Sequence, residues 1–306
     1  MGEPLEEVSI VALDAHGHGL TADGPIVPGA LPGERALVKG KGKRAELVET
    51  LDTSRERAAP ICPWFGTCGG CVAQHMSTSL YQAWKRGLVI EALEREGVAA
   101  KVGALIDAHG AGRRRATFHA RFPHGEPDEV GFMRARSHDI IAIDKCPLFS
   151  PGMAGAIPAA QALSGDLRGL MKPLDIGVTA TLDGLDVDLR GSGPLGRAET
   201  QKLTRTAEAL DIARVSNHGE ILIERRSPRV AFGEALARLP PGGFLQATEA
   251  GESWLSEFAE RALADTKKVA DLFCGGGAFA LRLARRREIF AADADPAAIG
   301  ALARAA

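Results

Sequence analysis

The sequence contains no run of about twenty apolar residues that could cross a bilayer. Its start, Met-Gly-Glu-Pro-Leu-Glu-Glu, lacks the basic residues and apolar stretch of a secretory signal. A dominant charge is also missing, since a net charge of −2 gives no overall pull towards nucleic acid. These absences predict no membrane partner and a cytoplasmic protein, where thiols stay reduced and cysteine arrays signify metal rather than disulfides. Oligomeric state leaves no signal in the sequence, and a monomer is the default expectation. What is present is ordinary for a globular chain of two to three domains: 306 residues, 45% hydrophobic and 25% charged.

The five cysteines are unevenly spread. Cys62, Cys68 and Cys71 fall in Cys62-Pro-Trp-Phe-Gly-Thr-Cys68-Gly-Gly-Cys71-Val-Ala-Gln74-His75, where paired glycines allow a tight turn around whatever the sulfurs hold. Cys146, followed by Pro147, is the one further cysteine before the last quarter of the chain and supplies a fourth ligand. Zinc accepts four thiolates, but its usual signature is two short pairs. A triplet closed by a distant Cys-Pro leans towards a 4Fe-4S cluster, with zinc and plain thiols or disulfides as alternatives. Gln74 and His75 read as braces of this loop through hydrogen bonds rather than as ligands.

Along the chain, short alternating strands and glycine turns from Glu7 to about Leu51 suggest a small all-β barrel. A helix is predicted from Ser79, capped with Gln82, to Gly97, with Leu80, Trp84 and Leu88 on its apolar face. Strands are expected over 114–122, 130–134 and 140–143, then alternation at Leu185, Val187 and Leu189 and a helix over 199–210, together an α+β domain. Three basic groups, Lys39, Lys41, Lys43 and Arg44; Arg113, Arg114, Arg115 and Arg121; Arg225, Arg226 and Arg229, could meet RNA, although each read singly is a solvated face.

After Pro240-Pro-Gly-Gly243 comes Phe244-Leu-Gln246, a helix over 249–264, and a buried strand over 268–273. This strand enters Cys274-Gly-Gly-Gly277, followed by a helix over 280–287, a strand over 289–292 ending in Asp293, and a helix capped by Asp295-Pro296. The order is half of a nucleotide-binding sheet. Gly275, Gly277 and Ala280 fit a dinucleotide fingerprint, with Asp293 placed for a ribose. The same geometry serves S-adenosyl-L-methionine, and Asp271 before the turn, able to hold an ammonium, tilts the reading to the methyl donor over a nicotinamide. Cys274 reads as a buried turn residue.

The cysteine triplet with Gln74-His75, the Tyr81 to Lys85 helix start, Cys146-Pro147, Phe244-Leu-Gln246 and Asp271-Leu-Phe-Cys-Gly together resemble the RNA (uracil-5-)-methyltransferase family, in particular its 4Fe-4S members acting on large-subunit rRNA. The resemblance implies a multi-domain chain: a small all-β TRAM (OB-like) barrel over 1–55, an α+β central iron-sulfur and RNA-binding domain over 56–243, and part of a Rossmann-like α/β methyltransferase domain over 244–306. It implies Cys62, Cys68, Cys71 and Cys146 as cluster ligands. It places Gln246, Phe273 and Asp293 at S-adenosyl-L-methionine, with Asp293 on the ribose; the residue reading above adds Asp271, Gly275 and Gly277 as cofactor-binding.

The partner it implies is RNA, rRNA rather than tRNA. In the family a cysteine adds to uridine C6, C5 takes the methyl group, and a carboxylate removes the C5 proton. Ala278 stands where the family often has asparagine. A domain of this type needs on the order of 150 residues, and the nucleophile and base are expected beyond Ala306. No catalytic residue is therefore assigned, and the expectation is a truncated copy, inactive as given. The alternatives are a non-catalytic cluster-containing RNA binder and an iron-sulfur redox enzyme linked to NAD.

Overall fold

A computed structural model describes residues 4–40 and 42–306; the first three residues and Lys41, a member of the first basic group, lie outside the described residues. The chain divides into two compact units, Met1–Ile106 with Arg134–Ser137, and Asp107–Met133 with His138–Ala306.

In the first unit β1 (Leu5–Leu13), β2 (Gly19–Thr21), β3 (Ile26–Val27), β4 (Arg35–Lys39) and β5 (Glu46–Asp52) form one antiparallel sheet in the order β3-β2-β1-β4-β5. This is the expected all-β element. Its core is small, built from Ile10, Val27, Ala30, Ala36, Val38 and Ala45. Glu34, buried under this sheet, receives both Nε and Nη2 of Arg57 at 2.6 and 2.7 Å and the Leu31 amide at 2.8 Å, so the strand ends are tied to the segment entering the cysteine loop.

Helix α1 (Thr78–Arg95) begins earlier than the spacing predicts. Ser77, not Ser79, is the cap, accepting the Leu80 amide at 3.1 Å, because Glu56 holds both serine hydroxyls and leaves Ser77 the extended residue. Gly97, at φ 68°, ends the helix as expected. No side chain of α1 is fully buried; Trp84 anchors it by donating its indole N–H to the Asp14 carbonyl at 3.0 Å.

The second unit is organised on a seven-stranded sheet. Its strands are β6 (Arg115–Arg121), β7 (Glu129–Met133), β8 (Ile140–Ile141), β9 (Leu174–Thr181), β10 (Gly184–Arg190), β11 (Arg214–Asn217) and β12 (Glu220–Glu224), in the order β12-β11-β10-β9-β6-β7-β8. All pairs are antiparallel except β10 with β11. Helices α2 (Ala156–Asp166) and α3 (Arg197–Ala209) supply Leu163, Leu203 and Ala207 to a fully buried core shared with Ile176, Val178, Val187 and Leu189. Phe118 and Phe132 stack at 5.0 Å with Phe149 edge-on to both. The opposite face of the central strands is polar, as a period of two requires.

A hairpin, β13 (Arg229–Phe232) with β14 (Ala235–Arg238), leads to α4 (Glu249–Ala262), β15 (Lys268–Leu272), α5 (Ala280–Leu283), β16 (Glu288–Ala292) and α6 (Pro296–Ala305). β15 and β16 pair in parallel, the strand-turn-helix-strand order read from the sequence. Two expectations are corrected. The helix after the glycine turn spans four residues rather than eight, because Arg287 donates to the Leu263 and Glu260 carbonyls at the end of α4 and draws the chain back into β16. β15 is also not a buried strand: each strand of this two-stranded sheet has one neighbour, and Leu272 and Phe290 are exposed.

Arg214 is the largest fully buried side chain. Its guanidinium donates to both oxygens of Asp186 at 2.8 Å and to the Leu239 carbonyl at 2.8 Å, and burial still leaves Asp186 above the usual carboxylate range. Removing one member of such a pair strands a buried charge. Arg214→Met should therefore cost about 3–5 kcal/mol in urea unfolding, with much of the loss recovered when Asp186→Asn is added.

Candidate cofactor site

The glycine turn joining β15 to α5 is held shut from the next strand. Cys274 donates its backbone N–H to the Ala292 carbonyl at 3.1 Å, and Gly275 donates its own to Asp293 Oδ2 at 2.8 Å. The other oxygen of Asp293 accepts the Asp295 amide at 2.9 Å, and these backbone N–H groups hold its carboxyl below the ordinary range. Asp293 is thus ionised and fixed in orientation at the carboxyl end of β16, where open α/β sheets bind ligands. Asp295 caps α6 through the Ala297 amide, as its Asp-Pro sequence predicts.

The turn residues divide by role. At Gly277, φ is 97° and an added Cβ would lie 3.0 Å from Leu281 and Leu302, so this glycine serves packing. At Gly275, φ is 55° and a Cβ would meet nothing within 4 Å, so its surface is open for close approach. Phe273 adopts φ 61°, a left-handed conformation costing about 1–2 kcal/mol for a residue with a side chain. Its ring is 87% exposed, so the strain presents an aromatic face beside the turn with no compensating burial.

Asp271 lies on β15, two residues before Phe273. One oxygen is buried without a partner, while the carboxylate accepts the Ala280 amide, and burial raises its pKa above the usual range. A buried carboxylate oxygen lacking a donor is costly and calls for a cation. The ammonium of a methionine moiety has that chemistry, so these residues fit S-adenosyl-L-methionine: Asp271 for the amino group, Phe273 for a flat ring, Asp293 for ribose hydroxyls. Cys274 is buried, and desolvation together with Asp271 and Asp293 pushes its thiol up, which suits the expected turn residue and not a nucleophile.

Gln246 is tied to this region through Arg114, which the sequence offered only as one of a basic group, and through Glu252 and Arg282, which it did not single out. Its carbonyl accepts Arg114 Nε at 3.1 Å; Arg114 also donates to Glu252 Oε2 at 2.6 Å, and Arg282 of α5 donates to Glu252 Oε1 at 3.2 Å. Glu252 is wholly buried. The basic group 113–115 therefore is not simply a solvated or RNA-facing run: Arg114 is a structural tie, and Arg115 donates to the Leu245 carbonyl at 3.0 Å. The third group is likewise neutralised locally, Arg225 and Arg226 on Asp211 and Arg229 on Asp183, each at 2.7 Å. Asp211 is held down to about 2 by the two arginines.

The cysteine loop belongs to the first unit, while Cys146 belongs to the second. Cys62, Cys68 and Cys71 are half-buried, and the Gly70 N–H lies 3.4 Å from Cys68 Sγ. Among the described residues, no three His, Cys, Asp or Glu side chains form a group that could hold a metal ion. The loop backbone turns through bonds from the Phe65 amide to the Cys62 carbonyl and from the Cys68 amide to the Trp64 carbonyl.

Gln74 braces the loop as expected, its Oε1 accepting the Cys62 amide at 3.1 Å. The His75 carbonyl accepts the Ala58 amide at 2.9 Å, but its ring makes no hydrogen bond: it is buried, neither ring nitrogen has a partner, and it packs on Phe65 with centroids 5.3 Å apart.

Burial, with Arg57 adding to it and Glu34 opposing, lowers the His75 pKa to about 4 from 6.5. Between those values the unfolded chain binds more protons, so stability rises with pH through this window and is fully present above it. Unfolding of the first unit, followed by denaturant titration from pH 4 to 7, should show this rise, and His75→Phe should flatten it.

No protein-family model matches the chain. Among curated proteins, an RNA methyltransferase of Agrobacterium fabrum is 39% identical over 307 residues, covering 97% of this chain and 74% of that protein. One of Caulobacter vibrioides is 38% identical, with the same coverages. The 23S rRNA (uracil(1939)-C(5))-methyltransferase of Salmonella typhimurium is 31% identical over 91% of this chain and 67% of its own length. Among solved structures, the Pyrococcus abyssi tRNA (uracil-54, C5)-methyltransferase in complex with S-adenosyl-L-homocysteine shares the fold, with a TM-score of 0.72 and 19% identity over 98% of this chain and 75% of that one. The sequence identities over nearly the whole length show that this chain belongs to the RNA methyltransferases, in the group that includes the uracil-C5 enzymes.

Proposed function

We propose that the protein is an S-adenosyl-L-methionine-dependent RNA methyltransferase acting on uracil C5, with ribosomal RNA favoured over transfer RNA. The observation that carries the donor reading is the unpartnered buried oxygen of Asp271 beside a glycine turn fixed by Asp293. The curated relatives support RNA as the acceptor, and the Salmonella relative supports the ribosomal choice. Among the described residues, no helix is long and apolar enough to cross a membrane.

The bound donor supplies an electrophilic methyl group. The residues here hold and orient it: Asp293 accepts from the ribose, Asp271 from the ammonium, Phe273 covers the adenine, Gln246 lines the pocket, and Gly275 lets the backbone approach. Proton removal from C5 and nucleophilic addition at C6 are assigned to no residue among these 306. The match to the Agrobacterium protein spans 74% of that relative.

Titration with S-adenosyl-L-homocysteine tests the donor site. Asp293→Asn should weaken binding about tenfold, the scale of one hydrogen bond to a charged group, and NADH should not compete. Competition by NADH, or no effect of the substitution, would sink the reading. Methyl transfer from labelled donor to uracil C5 in large-subunit rRNA, assayed with protein from its native cell, tests the reaction itself.

We further propose Cys62, Cys68, Cys71 and Cys146 as ligands of a structural 4Fe-4S cluster. Support comes from the cysteine pattern and from the chemistry of the donor set, half-buried thiols with a backbone N–H directed at Cys68 Sγ. Iron and acid-labile sulfide should be found at four of each per chain in anaerobically purified protein, and Cys68→Ser should lose them. Zinc in their place would overturn the cluster.

A further inference from the structure

The polar face of β6, β9 and β10 carries a cavity of about 330 Å³ that the donor site does not use. The strand register lays its floor out in rows. Arg115 faces Thr179, which faces Asp186; Thr117 faces Gly177, which faces Asp188; Asp175 faces Arg190. Gly242 and Gly243 form a wall, the former so close to Asp188 and Arg190 that a Cβ would lie 2.9 Å from each side chain.

Three features mark this as a built site. First, its rear is rigid. Asp186 is locked on Arg214, while Asp188 accepts from Ser216 at 2.7 Å, the Gly219 amide at 3.0 Å and Arg190 Nε at 2.9 Å.

Second, the central floor position is a glycine inside a strand paired on both sides. Gly177 there loses strand stability without a turn or strained backbone to require it. A Cβ on Gly177 would meet only the Asp188 carbonyl, at an ordinary 3.6 Å. A Cβ is therefore accommodated by the strand itself, and its absence leaves the cavity floor open.

Third, the lining groups are of mixed kind, each charged one also tied within the protein: Arg190 to Asp188, Arg115 to the Leu245 carbonyl and Asp175 to His119 Nδ1 at 2.7 Å. Guanidinium groups of Arg115 and Arg190, the carboxylate of Asp175 and hydroxyls of Thr117 and Thr179 face one volume. That volume lies within the range of small-ligand sites. Cations beside acceptors and hydroxyls suit a ligand that is anionic at one end and hydrogen-bonding at the other.

The geometry points to a binding site for one nucleotide of the RNA substrate, distinct from the uracil that is methylated: its phosphate on Arg190 and its base over Gly177 against the Thr117 and Thr179 hydroxyls. This rests on RNA being the substrate, as proposed above. RNA-binding proteins take up unstacked single-stranded nucleotides in this manner.

Gly177→Val and Arg190→Gln test the site in the full chain, with a fluorescein-labelled, uridine-containing RNA stem-loop as the probe. Gly177→Val should keep the melting temperature and the affinity for S-adenosyl-L-homocysteine, yet bind the RNA about tenfold or more weakly. Arg190→Gln should lower the slope of log Kd against log salt by about 0.7, one phosphate contact. If wild type binds the RNA and both variants bind with the same affinity and salt slope, the nucleotide site is overturned while the RNA reading stands. If wild type binds no RNA at any salt concentration, the RNA reading fails and the site with it. Should Gly177→Val not fold, the Arg190→Gln salt slope decides alone.

Discussion

The second unit depends on one buried carboxylate. Glu252 accepts from Arg114 at the start of the central sheet and from Arg282 in the helix after the glycine turn, while Arg114 also holds the Gln246 carbonyl. A wholly buried glutamate is tolerable only when its oxygens are answered by charge and hydrogen bonds together, and here two arginines do so. The result is that the sheet, helix α4 and the helix after the glycine turn share one electrostatic centre. Their positions are set together rather than by separate loops, which is what a precise cofactor cradle needs.

The first unit uses the same device with other residues. Glu34 under the small sheet takes Arg57, and Glu56 takes the serines that start α1. The strand sheet, the entry to the cysteine loop and the following helix are thereby secured by carboxylates where apolar cover is thin. That thinness is visible in α1, which buries no side chain fully.

Much of this was legible in the sequence because its signals are local. Glycine turns, an Asp-Pro cap and the alternation of Leu185, Val187 and Leu189 announced the strands and the half nucleotide-binding sheet, and these appear with ends shifted by a few residues. What could not be read was pairing across long separations. Arg114 and Glu252 stand 138 residues apart, so the arginine looked like one of a surface triplet. Ser77 and Ser79 are equal candidates for a cap until Glu56, 21 residues back from Ser77, chooses between them. The pocket floor was hidden for the same reason, since Thr117, Gly177 and Asp188 become neighbours only through strand register. Cysteine spacing named a candidate metal site but carries no information on whether sulfurs converge before an ion is bound.

The unanswered oxygen of Asp271 also links occupancy to protons. Because burial raises its pKa, this carboxyl holds on to a proton further up the pH scale than an ordinary aspartate does. A cation arriving beside it favours the ionised form and displaces that proton into solvent. Uptake of a positively charged ligand is then an exchange of one cation for another, and its affinity climbs with pH until the carboxyl is already ionised before the ligand comes.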